Sequence, residues 1–146
     1  MRTILILLLV PMAAFSMDRL SALSLIESAN NDRAVGRKGE ISRYQIIERE
    51  WRSVTPSTQY RDPALAKQVT LTLIERRLGR FQETYGRRPT DFELSALWNA
   101  PAQILNHRVS TTVADRAHRF ANLCQWDPRA DPGAEPRNPR PAQRLS

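Results

Sequence analysis

Residues Leu23 to Ile46 read LSLIESANNDRAVGRKGEISRYQI, and this stretch decides how the rest of the chain is read. Leu20, Leu23, Ile26 and Glu27 recur at helical spacing behind Asp18, a residue type suited to an N-cap, which predicts a helix from Asp18 to Asn30. Glu27 lies one turn beyond Leu23, so its carboxyl group emerges on the apolar side of that helix. Asn30-Asn31-Asp32 end it, because short polar side chains satisfy backbone groups outside a helix. Asn31 to Ser42 then reads as a loop pivoting at Gly36 and Gly39. A carboxyl group on a greasy helix face beside a flexible loop has the makings of a general acid, since an apolar pocket disfavours the charged form and keeps the proton on at higher pH. The plainer alternative is a helix-end glutamate bonded to one of the chain's many arginines.

Outward from there the chain reads almost entirely as helix. Ile41 to Ile47 suits a short strand, and Gln45 to Arg52 a helical turn or two ending near Trp51. Asp62-Pro63 supplies a capping acid and a proline at a first helical position. Ala66, Val69, Leu73, Ile74, Phe81 and Tyr85 follow as the stripe of a long core helix, closed by Gly86. Thr90 to Glu93 is a capping box leading into a helix through Trp98, which Pro101 stops or kinks. Thr112, with Asp115 three residues on, is expected to cap a last helix whose buried side is Val113, Ala117, Phe120, Ala121 and Cys124. No internal repeat is present. The expected fold is a small, mainly α domain of four or five helices, with a short irregular or β-hairpin insertion after the first.

The ends read differently. Arg2, an apolar run from Ile4 to Phe15 and the small residues Ala14 and Ser16 predict a cleaved export signal at residues 1–16, too short for a comfortable membrane span. Residues 17–125 would form the folded domain. From Trp126 to Ser146 proline, arginine and small residues dominate without apolar period, the composition of a disordered tail. The formal charge is +7, and 20 of the 22 basic residues are arginine. Such a protein is drawn to anionic polymers. The arginines scatter over several helices without forming one recognition surface, which argues against nucleic acid. The single cysteine, Cys124, excludes an internal disulfide and sits on an apolar stripe, as a small buried hydrophobe would. Two distant histidines, His107 and His118, offer no zinc spacing, and no glycine loop of the phosphate-binding kind occurs. No metal or cofactor is expected, and a monomer is.

Several pieces in order carry a family resemblance. Glu27-Ser28 ends a helix; Asn31 to Val35 gives Asn-x-x-Ala-Val; Gly39 to Ile46 gives a glycine followed by Gln-Ile; Asp62 to Ala66 gives Asp-Pro-x-x-Ala; and Leu97-Trp98-Asn99-Ala100 follows later. Together they resemble the soluble lytic transglycosylases of the lysozyme superfamily, over roughly Leu20 to Leu123. The resemblance implies a lysozyme-like helical domain that cleaves the glycan strand of peptidoglycan between N-acetylmuramic acid and N-acetylglucosamine. It implies Glu27 as the one essential carboxyl group, acting first as acid and then as base, with an anhydro end as product. It further implies Gln45 lining the groove, Asn99 bonding a sugar N-acetyl group, Trp98 and Tyr44 stacking on sugar faces, and Ser28 steadying the acid.

The chain also departs from that family. Ala29-Asn30 and Ser42-Arg43-Tyr44 stand where the family has glycines and Gly-Leu-Met, Pro101 replaces a glycine, and Arg116 aligns with an active-site tyrosine. Two other readings follow. One is a non-catalytic glycan-binding or envelope-assembly protein on the same fold. The other is a lysozyme-like hydrolase in which a second carboxylate, Glu40, joins Glu27, since ordinary glycosidases use two such groups. All three readings imply an exported protein, periplasmic or extracellular.

Overall fold

The computed structural model describes residues 17–125. The expected export signal and the Pro/Arg-rich segment lie outside the described residues. The domain is mainly helical: α1 (Arg19–Ser28), α2 (Glu48–Arg52), α3 (Pro63–Tyr85), α4 (Asp91–Asn99), α5 (Pro101–Leu105) and α6 (Thr111–Gln125). None of these helices is long and apolar enough to cross a membrane.

Most helix ends sit where local chemistry asks for them. Asp18 accepts hydrogen bonds from the Leu20 and Ser21 amides, each at 3.1 Å. Asp62 does the same for Ala64 and Leu65 ahead of the long α3, with Pro63 at its first turn. Thr90 and Glu93 form both halves of the capping box. Pro101 ends one helix and begins another: α4 stops at Asn99, and the proline takes a first-turn position in α5, where its missing N–H is not needed.

Three boundaries differ from the sequence reading. The first helix stops at Ser28, not Asn30, because Ala29 and Asn30 turn left-handed, with φ of 54° and 63°. The last helix begins at Thr111, and the Val113 amide points at the Ser110 hydroxyl at 3.5 Å, so Ser110 takes the capping place expected of Thr112. Ser110, Thr111 and Thr112 are three consecutive capping types, and composition alone does not choose among them. The strand expected at 41–47 reduces to isolated antiparallel bridges, Val35 with Ile41 and Ile41 with Ile46. Ser42 and Gln45 between them have φ of 66° and 52°, which no extended strand can hold.

Two adjoining apolar clusters hold the helices together. The larger joins Ala22 and Leu23 of α1, Tyr44, Ile46 and Trp51 of the insertion and α2, Ala66, Val69 and Leu73 of α3, and Trp98, Phe120 and Cys124. The smaller gathers Phe81, Ala96, Leu97, Ile104 and Ala117. Helix α3 runs through both, as its three-four-seven stripe requires. The C-terminal end of α1 is thereby pinned against α4 and α6, with the insertion beside it.

Candidate active site

Glu27 occupies the last turn of α1, and its side chain is only 3% exposed. Neither carboxylate oxygen is left without a partner. Oε1 accepts from Asn99 Nδ2 at 3.1 Å, and Oε2 accepts from Arg116 Nη1 at 3.0 Å. The same Arg116 nitrogen donates to Asn99 Oδ1 at 2.8 Å, and Asn99 Nδ2 donates also to the Ser95 carbonyl at 3.1 Å. Turning the Asn99 amide over would break all three of its contacts, so its orientation is fixed by its neighbours. The triangle ties α1, α4 and α6 at one point.

The electrostatics of Glu27 pull both ways. Burial raises its pKa above the ordinary carboxylate value and is the largest influence; the Arg116 charge and the Asn99 bond oppose it, and nearby Glu40 adds to the rise. The net direction is upward. Both readings of this glutamate therefore hold at once: it is withdrawn from water on an apolar helix, and it is bonded to an arginine.

A cleft of about 980 Å³ opens in front of this carboxyl group. Of the residues singled out from sequence, Glu27, Glu40, Gln45, Trp98 and Asn99 all line it. Gln45 donates from Nε2 to the Ser42 carbonyl at 3.0 Å, which orients its side chain across the tight turn. Glu40 accepts from the Lys38 amide at 2.9 Å, and its own backbone N–H and that of Lys38 hold its pKa below the usual range, so it stays ionised. Space is tight at Gly36: a Cβ there would push against the Glu40 carboxylate and lie 2.6 Å from Gln45 Oε1, both at the ends of flexible side chains.

Three assignments change. Tyr44 is 4% exposed and belongs to the main apolar cluster, so its ring supports the insertion from beneath and does not line the cleft. Ser28 does not bond Glu27: its hydroxyl donates to the Arg43 carbonyl at 2.8 Å and accepts from the Asn31 amide at 3.1 Å, fastening the loop to the end of α1. Trp98 reaches the cleft, but it is 7% exposed, its Nε1 is spent on the Tyr44 carbonyl, and the Arg77 guanidinium lies 4.5 Å from its ring centre. Little of its face remains for a sugar.

Two participants were not picked out as site residues from sequence. Arg77 donates to the Trp98 carbonyl at 2.7 Å and to both Glu50 oxygens at 2.7 Å, forming a floor to the cleft. Arg116 was identified only by its alignment with a tyrosine. Its position was legible: it lies three residues after Val113 and four before Phe120, along the edge of the buried stripe of α6, so its guanidinium had to come up beside the core. Cys124 is buried and its thiol is pushed up to about 11, chiefly by burial, which leaves it an inert packing group.

Compared with protein-family models, with curated proteins and with solved structures, the chain matches none of them.

Proposed function

We propose that this chain is an exported murein lytic transglycosylase, cutting the bond between N-acetylmuramic acid and N-acetylglucosamine with Glu27 as sole general acid and base. One observation carries the reading: a carboxyl group with 3% of its side chain exposed faces an open cleft of about 980 Å³. Burial without a cleft would be structural, and a cleft without burial would leave an ordinary ionised acid. The departures from the family pattern add support. Ala29, Asn30 and Ser42 stand where that family carries glycine, and all three take the left-handed backbone that glycine adopts most easily.

The mechanism follows from the triangle. Protonated Glu27 gives its proton to the glycosidic oxygen as the bond from that oxygen to the anomeric carbon breaks. The resulting carboxylate is stabilised where it stands by the Asn99 amide and the Arg116 guanidinium, the two donors already aimed at it. It then takes the proton of the muramic sugar's primary hydroxyl as that oxygen bonds the anomeric carbon. The glutamate ends protonated, as it began, no water is consumed, and the product carries an anhydro end. Incubation of the protein with purified sacculi, followed by mass spectrometry, tests this. Anhydro-muropeptides should be released by the wild type and lost in Glu27→Gln, by about 10²-fold or more, with the helical circular-dichroism signal unchanged. Reducing ends in place of anhydro ends would instead assign hydrolysis, with ionised Glu40 activating water.

A second reading rests on the Arg116 contact, whose charge opposes protonation of Glu27. If that pull prevails when the cleft is filled, the protein binds glycan without cutting it. Sedimentation with sacculi and no soluble product in any buffer from pH 4 to 8 would select this reading.

A further inference from the structure

Arg116 is only partly used by the protein. A single nitrogen, Nη1, serves both Glu27 and Asn99, while Nε and Nη2 have no hydrogen-bond partner among the described residues, and the side chain is 39% exposed where it lines the cleft. A guanidinium carries five donors in a planar fork matched to a carboxylate, so most of this one's capacity is unspent at the cleft wall. Its surroundings have the same sign. Arg37, Lys38 and Arg49 also line the cleft, are exposed, and form no salt bridge among the described residues. The cleft's carboxylates are engaged: Glu27 by Arg116 and Asn99, Glu50 by Arg77, and Glu40 by the Lys38 amide. Glu40, ionised and close in charge terms to Lys38 and Arg116, offsets only part of this, so an unsubstituted neutral sugar chain would leave a positive excess in the cleft unmet.

We infer that Arg116 determines specificity in this cleft: its free N–H groups take a carboxylate substituent of the bound glycan, beside the Glu27 carboxyl group, and Arg37, Lys38 and Arg49 extend the preference for anionic substituents along the rim. This rests on the murein reading above and sharpens it, because the selected strand is one whose stem peptides or lactyl groups carry free carboxylates. Occupation of the fork by a second anion also divides the Arg116 charge between two carboxylates, which weakens its opposition to the protonated form of Glu27. Arg116 thus acts on the substrate directly and on the acid by position.

The test measures binding and cutting separately. The full chain is sedimented with peptide-bearing sacculi and with the same sacculi after carbodiimide amidation of their carboxyl groups, while soluble fragments are scored in parallel. Amidation should weaken wild-type binding roughly tenfold, the worth of one charge-assisted pair. Arg116→Gln should bind the untreated sacculi about as weakly as the wild type binds the amidated ones, and Arg116→Lys should fall between, keeping the charge without the fork. Should Arg116→Gln fail to fold, the loop variant Arg37→Gln/Lys38→Gln should lose about threefold on untreated sacculi and nothing on amidated ones. Wild-type binding unchanged by amidation overturns the inference, as does an equal loss by Arg116→Gln on both sacculi, which a merely structural role would give. Discrimination without soluble fragments supports the inference and defeats the cutting reading; fragments without discrimination do the reverse.

Discussion

Asn99 and Glu27, 72 residues apart in sequence, meet at 3.1 Å through the Asn99 amide nitrogen, and the carbonyl of the same amide accepts from Arg116 at 2.8 Å. One neutral side chain therefore contacts both an acid and its counter-ion, which also meet each other directly at 3.0 Å. The arrangement favours the charged form of Glu27 while the surrounding apolar helix favours the neutral one, leaving the carboxyl group where modest changes in its company move it in either direction.

Asn99→Ala removes a donor that favours ionised Glu27. The titration of Glu27, followed by carbon NMR of a labelled carboxyl group, should therefore move further upward. Release of product at neutral pH should fall by roughly 10²-fold, the usual cost of removing one donor from a developing oxyanion. A Glu27 titration that stays in place or moves down would show that the amide and the acid are not coupled.

Gly36→Ala separates the cleft from the fold. The new methyl group meets the Glu40 carboxylate and Gln45 Oε1, which are the ends of flexible side chains and can be pushed aside. Stability should change by no more than about 1 kcal/mol in urea denaturation, at the mild end of overpacking. Binding to sacculi should weaken several times more than that figure implies, because both displaced groups line the cleft. A variant that loses stability heavily while binding normally would place Gly36 in the scaffold alone.

Glu93 gives the acid-side prediction. Its carboxyl group is held down to about 2, first by the paired Arg87, with the Thr90 backbone and hydroxyl adding to the effect. A folded-state pKa below the unfolded value means that the group stabilises the fold above the unfolded value and loses that contribution as pH falls toward the folded one. Glu93→Gln keeps an oxygen that can accept from the Thr90 amide but loses the charge facing Arg87, so it should cost about 1 kcal/mol at neutral pH, the upper end for a partly exposed ion pair. The difference from wild type should shrink steadily from pH 4.5 to about 2. Equal differences at pH 7 and pH 3 would contradict this.

What sequence could and could not reveal divides along physical lines. Helix starts were legible at Asp18, Asp62 and Thr90 because a capping side chain acts within three residues of itself. Glu27 was legible because a four-residue offset from Leu23 fixes its face. The strand at 41–47 failed because left-handed residues at Ser42 and Gln45 carry no compositional mark when they are not glycine. Tyr44 failed for a different reason: Ser42, Tyr44 and Ile46 alternate as the buried residues, so alternation with Ile46 points its ring to the core, and the cleft role came from the family resemblance alone. The Arg116–Asn99–Glu27 triangle joins three helices across 89 residues, and only the assembled packing brings its members together.

Ala29 offers a direct test of backbone strain beside the acid. It follows the last residue of α1 with φ of 54° and ψ of 40°, and it is exposed. An L-residue with a Cβ is held there at a cost of about 1 kcal/mol, which glycine does not incur. The methyl group contributes little packing at an exposed site, while glycine also gains entropy in the unfolded chain, which offsets part of the relief. The balance favours substitution: Ala29→Gly should raise stability by about 0.5 kcal/mol, seen as a higher urea midpoint with an unchanged denaturant slope. The neighbouring Glu27 contacts should survive, because the glycine adopts the same cap conformation. A lower midpoint would mean that Ala29 is not confined to the left-handed region in solution, and that the turn presenting Glu27 to the cleft is looser than the bonds from Ser28 to the loop imply.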